Sequence, residues 1–149
     1  MIEILVRPEV KIHLEKEETT KSLQKAAKIL LSDLEYSEHE LSLLLTTDEE
    51  IESLNSQYRN KQKPTDVLSF SQLEGEGGAS DSKLLGDVVI SVETAIKQAK
   101  ELGYTLKEEL TRLLIHGTLH LLGYDHENVP EAEAKKMQEL EDKLFEKLS

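Results

Sequence analysis

The residues best suited to chemistry in this chain are three histidines, His116, His120 and His126, in the run from His116 through Gly117, His120, Gly123, Tyr124 and Asp125 to His126. Positions four apart on a helix share one face and lie about 6 Å apart along its axis, from a rise of roughly 1.5 Å per residue. Two imidazoles so placed can converge on one ion at Zn–N distances of about 2.0–2.1 Å. Gly123 lets the chain turn back, which brings His126 from the far side as a third ligand. Three neutral imidazoles leave one tetrahedral position open, the pattern of a catalytic rather than a structural zinc site. The ordinary alternative is an amphipathic helix that merely carries histidines, since short motifs match by chance. Asp125 either orients a ligand imidazole from behind or bonds backbone amides in the turn. His13 and His39 have no spaced partner and read as surface histidines.

Hydrolases with a His-Glu-x-x-His helix place a glutamate beside the first histidine as general base. Here that position is Gly117. The chain therefore has the metal geometry of a zincin without its proton acceptor, which argues against peptide hydrolysis. Glycine inside a helix costs roughly 1 kcal/mol relative to alanine. Gly117 is expected either to keep the approach to the metal open or to permit close helix packing. A bound zinc can still lower the pKa of its water to about 7.

A second polar cluster is Arg59, Lys61 and Lys63, followed by Pro64, Thr65 and Asp66. Arginine's planar fork suits a phosphate and lysines add point charges. Beside the metal, such a loop would hold a phosphodiester and stabilise the charge of its displacement. Its ordinary alternative is a solvated loop, the usual fate of a short charge run.

These residues need a scaffold, and 149 residues suffice for one domain, here residues 1–149, with a core that needs no metal or disulfide as a staple. Cysteine is absent, which removes disulfides, thiolate zinc sites and thiol catalysis. The first residues have an early acid and no basic segment, unlike a secretory signal, and no apolar stretch reaches membrane-spanning length. The cytoplasm is the expected compartment. A net charge of −12 excludes a general nucleic-acid coat protein, because the chain repels phosphate backbones at long range. Few aromatics and no tryptophan argue against a base-stacking platform. A short cationic footprint stays compatible with both.

The elements follow from periodicity. Ile2 to Val6 reads as a strand, and Lys21 to Leu34 as a helix with Leu23, Ala26, Ala27, Leu30 and Leu31 on one face. Leu41 to Thr46 is a strand, after which Thr47 and Glu50 form a capping-box pattern that opens a helix through Leu54. Asn60 to Pro64 is a loop, Asp66 to Phe70 a strand, and the glycine- and serine-rich stretch Ser71 to Lys83 a connection. Leu84 to Ile90 is an apolar strand, and Ser91 starts a helix that Gly103 stops. Thr105 and Glu108 cap the histidine helix, which Gly123 ends, and Pro130 starts a last helix reaching Leu148. The expected class is α+β, a small four-stranded mixed sheet packed with about five helices around a zincin-like metal site.

Three blocks of residues resemble the YbeY family of bacterial rRNA maturation factors, from about Leu43 onward. They are Asn55, Tyr58, Arg59, Lys61 and Lys63 to Phe70; Leu85 to Ser91; and His116, Gly117, Leu119, His120, Leu121 and Gly123 to Glu127. The resemblance implies a zincin-like α+β fold and one zinc per chain on His116, His120 and His126. It implies that Arg59 is important for activity through the scissile phosphate. It further implies metal-dependent cleavage of single-stranded RNA rather than DNA, in 16S rRNA 3′-end maturation and ribosome quality control, with the small ribosomal subunit or its proteins as partners. Asp66 and Asp87 belong to the matching blocks; Asp66 is expected to shape a turn and Asp87 to cap or anchor the start of its strand.

Two other readings compete. One is a non-catalytic ribosome-assembly factor whose metal and cations only dock RNA, although a pure docking module needs no open coordination position. The other is a metallopeptidase-like hydrolase, which Gly117 opposes.

Overall fold

Alternation in Leu41, Leu43 and Leu45 puts three leucines on one side of a strand, and all three are buried. That strand, β2 (Glu40–Thr46), lies between β1 (Ile2–Val6) and β4 (Leu84–Ser91), both parallel to it. The fourth strand, β3 (Val67–Ser71), pairs antiparallel with β4 at the sheet edge, so the order is β1-β2-β4-β3 and the sheet is mixed. The computed structural model describes residues 2–14, 17–59, 65–71, 84–123 and 130–148. The side chains of residues 17, 18, 58 and 59 lie outside that description.

Among the described residues the sheet is joined by five α-helices and one 3₁₀ helix, Pro8–Leu14. The α-helices are α1 (Glu17–Asp33), α2 (Asp48–Arg59), α3 (Val92–Leu102), α4 (Leu106–Leu121) and α5 (Glu131–Leu148). The expected α+β class and four-stranded mixed sheet are therefore found. The first helix begins earlier than the apolar periodicity from Lys21 suggests. The residues expected as the loop Asn60 to Pro64, and 72–83 of the glycine-rich connection, lie outside the described residues.

The larger core lies on one sheet face, where Leu23, Leu30, Leu43, Val88, Ile90 and Leu114 pack together. The opposite face carries a small cluster in which Ile51 of α2 covers Leu68 and Val89. Helix α4 is the central element, touching α1, α3, α5, β3 and β4. Its start is a reciprocal capping box: Thr105 accepts from the Glu108 amide at 3.1 Å and Glu108 accepts from the Thr105 amide at 2.9 Å.

The start of α2 differs from the expected reciprocal box. Thr47 does accept from the Glu50 amide at 3.2 Å, but the Glu50 carboxylate turns to Arg7, at 2.9 Å, and to the Thr46 hydroxyl. A charge-assisted bond to a guanidinium outweighs a bond to a backbone amide. The Asp48 amide donates to Glu93 at 2.7 Å, while the Asp48 carboxylate accepts from the hydroxyls of Ser91 and Thr94 at the start of α3. The first turns of α2 and α3 thus cap one another across the end of the sheet.

Arg7 first, then Thr46, hold the Glu50 carboxyl below its ordinary value of 4.5, against the opposing effect of burial. A depressed folded-state pKa contributes stability above the unfolded value that is lost as pH falls through the folded one. Glu50→Gln is expected to be slightly less stable than the parent chain at pH 7, with the gap closing below about pH 4.5. Urea titrations of both proteins across that range measure it, and a pH-independent gap would contradict the assignment.

Candidate functional site

Burial along α4 decides which of its residues are available for chemistry. From Glu109 to Leu121 every residue is buried except Arg112, His116 and His120. Their spacing of four makes them one stripe along the helix. The remaining circumference is enclosed by leucines such as Leu110, Leu113, Leu114 and Leu119 and by the sheet.

Two of the three expected ligands come together on this stripe. The Nε2 atoms of His116 and His120 stand 3.1 Å apart, with ring centroids at 4.6 Å and planes inclined by 69°. Two nitrogens sharing a tetrahedral ion at about 2.0–2.1 Å would lie roughly 3.3–3.4 Å apart, so the pair fits a zinc-sized ion with little adjustment. On the other side of its ring, His116 Nδ1 is bonded to the carboxylate of Glu141 on α5. Such a contact favours the proton on Nδ1, which makes Nε2 the nitrogen suited to ligate a metal. Among the described residues no group of three or more His, Cys, Asp or Glu side chains is arranged around one point to hold an ion. His126 and Asp125 lie outside the described residues, as do Lys61 and Lys63. Arg59 is placed as the last residue of α2, with its side chain outside the description.

Gly117 is a packing residue. A Cβ built there would meet Val88 Cγ1 at 2.7 Å, Val67 Cγ2 at 3.1 Å and Ser69 Oγ at 3.2 Å. The helix lies against β3 and β4 at this point, and Ser69 and Ser71 donate their hydroxyls to the carbonyls of Gly117 and Leu121 at 2.8 and 3.1 Å. The position beside the first histidine faces the sheet, so a glutamate base there is excluded by space as well as by sequence. Gly86 of β4 serves the same approach one turn further on. Its φ of 153° and the distances of a built Cβ to Phe70 O (2.5 Å) and Leu121 Cδ2 (2.7 Å) leave room for hydrogen alone.

Of the two aspartates of the matching blocks, Asp87 takes a place other than the one expected. Asp66 is half-buried before β3, where its carbonyl accepts from the Ser91 amide at 3.0 Å and its carboxylate from Gln98 at 3.3 Å. It ties β3 to α3, and the residues before Thr65 that the expected turn would include lie outside the described residues. Asp87 is within β4, opposite Ser42 of β2 and Phe70 of β3, and lines a groove on the face away from α4. It does not cap the start of its strand. His39 is half-buried edge-on to Tyr36, at a centroid distance of 5.0 Å, rather than a plain surface histidine.

Glu141, Arg112 and Glu109 were not singled out by the sequence. Arg112 was legible as the residue one turn before His116. Glu141 was not, because it lies 25 residues from His116 on another helix among several acids.

A mixed sheet with a histidine-bearing central helix defines an α+β architecture already seen in a solved structure. The solution structure of TM1509 from Thermotoga maritima matches 99% of this chain and 89% of its own, with a TM-score of 0.66 and 27% identity. The family model for Endoribonuclease YbeY matches residues 6–149, so the likeness begins well before Leu43. Endoribonuclease YbeY of Aquifex aeolicus is 54% identical over 127 residues, which is 85% of this chain and 82% of that protein. Endoribonuclease YbeY of a Sulfurihydrogenibium species is 49% identical over 146 residues, 98% of this chain and 92% of that one. The chain belongs to the YbeY endoribonuclease family, a family of enzymes that hydrolyse RNA.

Filling the contact at Gly117 tests the seat of α4. Alanine gains roughly 1 kcal/mol of helix propensity, but overpacking a tight interface costs typically 1–3 kcal/mol. Gly117→Ala is expected to lower stability by about 1 kcal/mol in urea unfolding. Adding Val88→Ala removes the facing methyl, so the double variant loses less than the sum of the single losses. Strict additivity would show that the contact is not what the glycine serves.

Proposed function

We propose that this chain is a zinc-dependent, single-strand-specific endoribonuclease, one domain over residues 1–149, that holds one zinc through His116, His120 and His126. Its setting is the cytoplasm, its substrate the 3′ end of 16S rRNA, and its wider role ribosome quality control, with the small ribosomal subunit or its proteins as partners. No helix among the described residues is long and apolar enough to cross a membrane. The observation that carries the reading is the pair of imidazole nitrogens 3.1 Å apart on the one open stripe of α4 between Glu109 and Leu121. Membership of the YbeY family supplies RNA hydrolysis as the reaction.

When bound, the ion supplies Lewis-acid stabilisation of charge on the phosphate and lowers the pKa of water. The chain's own residues then have separate tasks. Glu141 keeps the His116 ring turned so that Nε2 faces His120. Arg59, at the end of α2, offers a planar fork to the non-bridging oxygens of the scissile phosphate. Lys61 and Lys63 add point charges along the strand. Because Gly117 faces the sheet, the position following His116 in the chain supplies no carboxylate base. RNA carries a 2′-hydroxyl of its own, so a site without a glutamate base at position 117 is better matched to RNA than to peptides. The same observation disfavours the peptidase reading.

End-labelled single-stranded RNA is expected to be cut by the zinc-loaded protein and left intact after chelation or in His120→Ala. Arg59→Ala is expected to cut about 10²–10³-fold more slowly, the scale of losing one charge-stabilising donor. The product ends identify the nucleophile, because a cyclic phosphate requires attack by the ribose. RNA left intact by a protein shown to carry zinc would favour a docking role.

A further inference from the structure

The open stripe of α4 contains a third residue that the proposed reaction does not use. Arg112 lies one turn before His116, and its side chain is 34% exposed. Its Nε and Nη2 donate to the two carboxylate oxygens of Glu109 at 2.7 and 2.6 Å. Glu109 is completely buried. A carboxylate taken fully out of water is costly and is retained only with a close partner, so this pair adds little stability over an apolar one. What it does provide is a cation held rigidly at one place. Asp66 and Glu141 both lie within Coulombic reach of that cation. Glu141 in turn is bonded to His116 Nδ1. Glu109 and Arg112 are thus bonded to one another on α4, Glu141 of α5 is bonded to His116, and the two pairs are coupled through the field of the Arg112 charge rather than by a contact.

We propose that Glu141 and Arg112 are positioning residues for His116. Glu141 fixes the tautomer and plane of the ring, and Arg112, held by Glu109 one turn before His116, sets a fixed positive charge near that pair. This rests on the reading of His116 as a zinc ligand. The outer partners of ligand imidazoles set both the direction and the basicity of the ligating nitrogen. A phosphate contact is the other use of an arginine on an open helix face. It is disfavoured here because two donors of the fork are already given to Glu109 and two further carboxylates lie within Coulombic reach of the guanidinium.

Zinc affinity, measured by competition with a chromogenic chelator, separates these uses. Glu141→Leu removes the acceptor and Glu141→Gln keeps an acceptor without the charge. The paired change Glu109→Leu with Arg112→Met removes the buried ion pair without orphaning either charge. Glu141→Leu is expected to bind zinc about 10–100-fold more weakly, with Glu141→Gln between it and the parent chain. The paired change is expected to weaken zinc binding in the parent and to add nothing in the Glu141→Leu background. Ring nitrogen NMR on the metal-free protein should show the Nδ1–H tautomer of His116 in the parent and its loss in Glu141→Leu. That readout does not depend on activity.

Unchanged zinc affinity in Glu141→Leu, with zinc bound by the parent, overturns the inference alone. So does a paired-change effect that persists in full in the Glu141→Leu background. An increase in KM for RNA with zinc affinity unaltered in the paired variant would make Arg112 a substrate contact and also overturns it. A parent chain that binds no zinc overturns the functional reading and this inference with it.

Discussion

The contact of α4 with the sheet at Gly117 governs the rest of the molecule. With hydrogen in place of a side chain, the helix settles onto Val88 and Val67, and two serine hydroxyls of the edge strand bond its carbonyls. Helices α1, α3 and α5 occupy the remaining sides. A helix enclosed on so many sides has little surface left to offer, and what is left from Glu109 to Leu121 is the stripe of Arg112, His116 and His120. The site is therefore defined by exclusion: beyond the first turn, from Glu109 to Leu121, packing buries every other residue of α4. Gly86 and Leu121 extend the same close approach along the strand, which ties the two glycine-bearing blocks into one interface.

Charge is handled locally in a chain that is acidic overall. At the end of the sheet, Asp48 and Glu93 exchange capping bonds between α2 and α3, and Glu50 holds Arg7. These contacts fix where α2 begins, and so where its last residue, Arg59, comes to stand. At the other pole of α4, Glu109 and Arg112 place a fixed cation amid carboxylates beside the histidines. Net charge describes long-range behaviour toward polyanions, whereas the arrangement of a few neutralised pairs decides what happens within the site.

The geometry also explains why a helix with the histidine spacing of a zincin belongs to a family of ribonucleases. In a protease of the His-Glu-x-x-His type the residue after the first histidine must reach the water it deprotonates. Here that residue is pressed into the sheet. The same change that removes the base supplies the close packing, so the glycine is at once a structural requirement and a limit on the chemistry. A polymer that carries its own hydroxyl nucleophile and needs chiefly charge stabilisation is compatible with that limit.

Local physics made much of this legible in the amino-acid sequence. The capping box at Thr105, the stop at Gly103 and the 3.6-residue register through Leu110, Leu113 and Leu114 into His116 all depend on neighbours a few residues away, and all are present. The pairing of His116 with His120 follows from the same register. Other features depend on residues distant in the chain and were decided only by the tertiary structure. Glu50 turned from its own helix to Arg7 because a cation 43 residues away lay within reach. Glu141 met His116 because α5 packs on α4, a contact that no spacing along the chain encodes. Gly117 was compatible with two roles until Val88 of another element stood 2.7 Å from the position of its missing Cβ. Periodicity specifies which face of a helix is apolar, but what that face meets is set by how the whole chain closes around it.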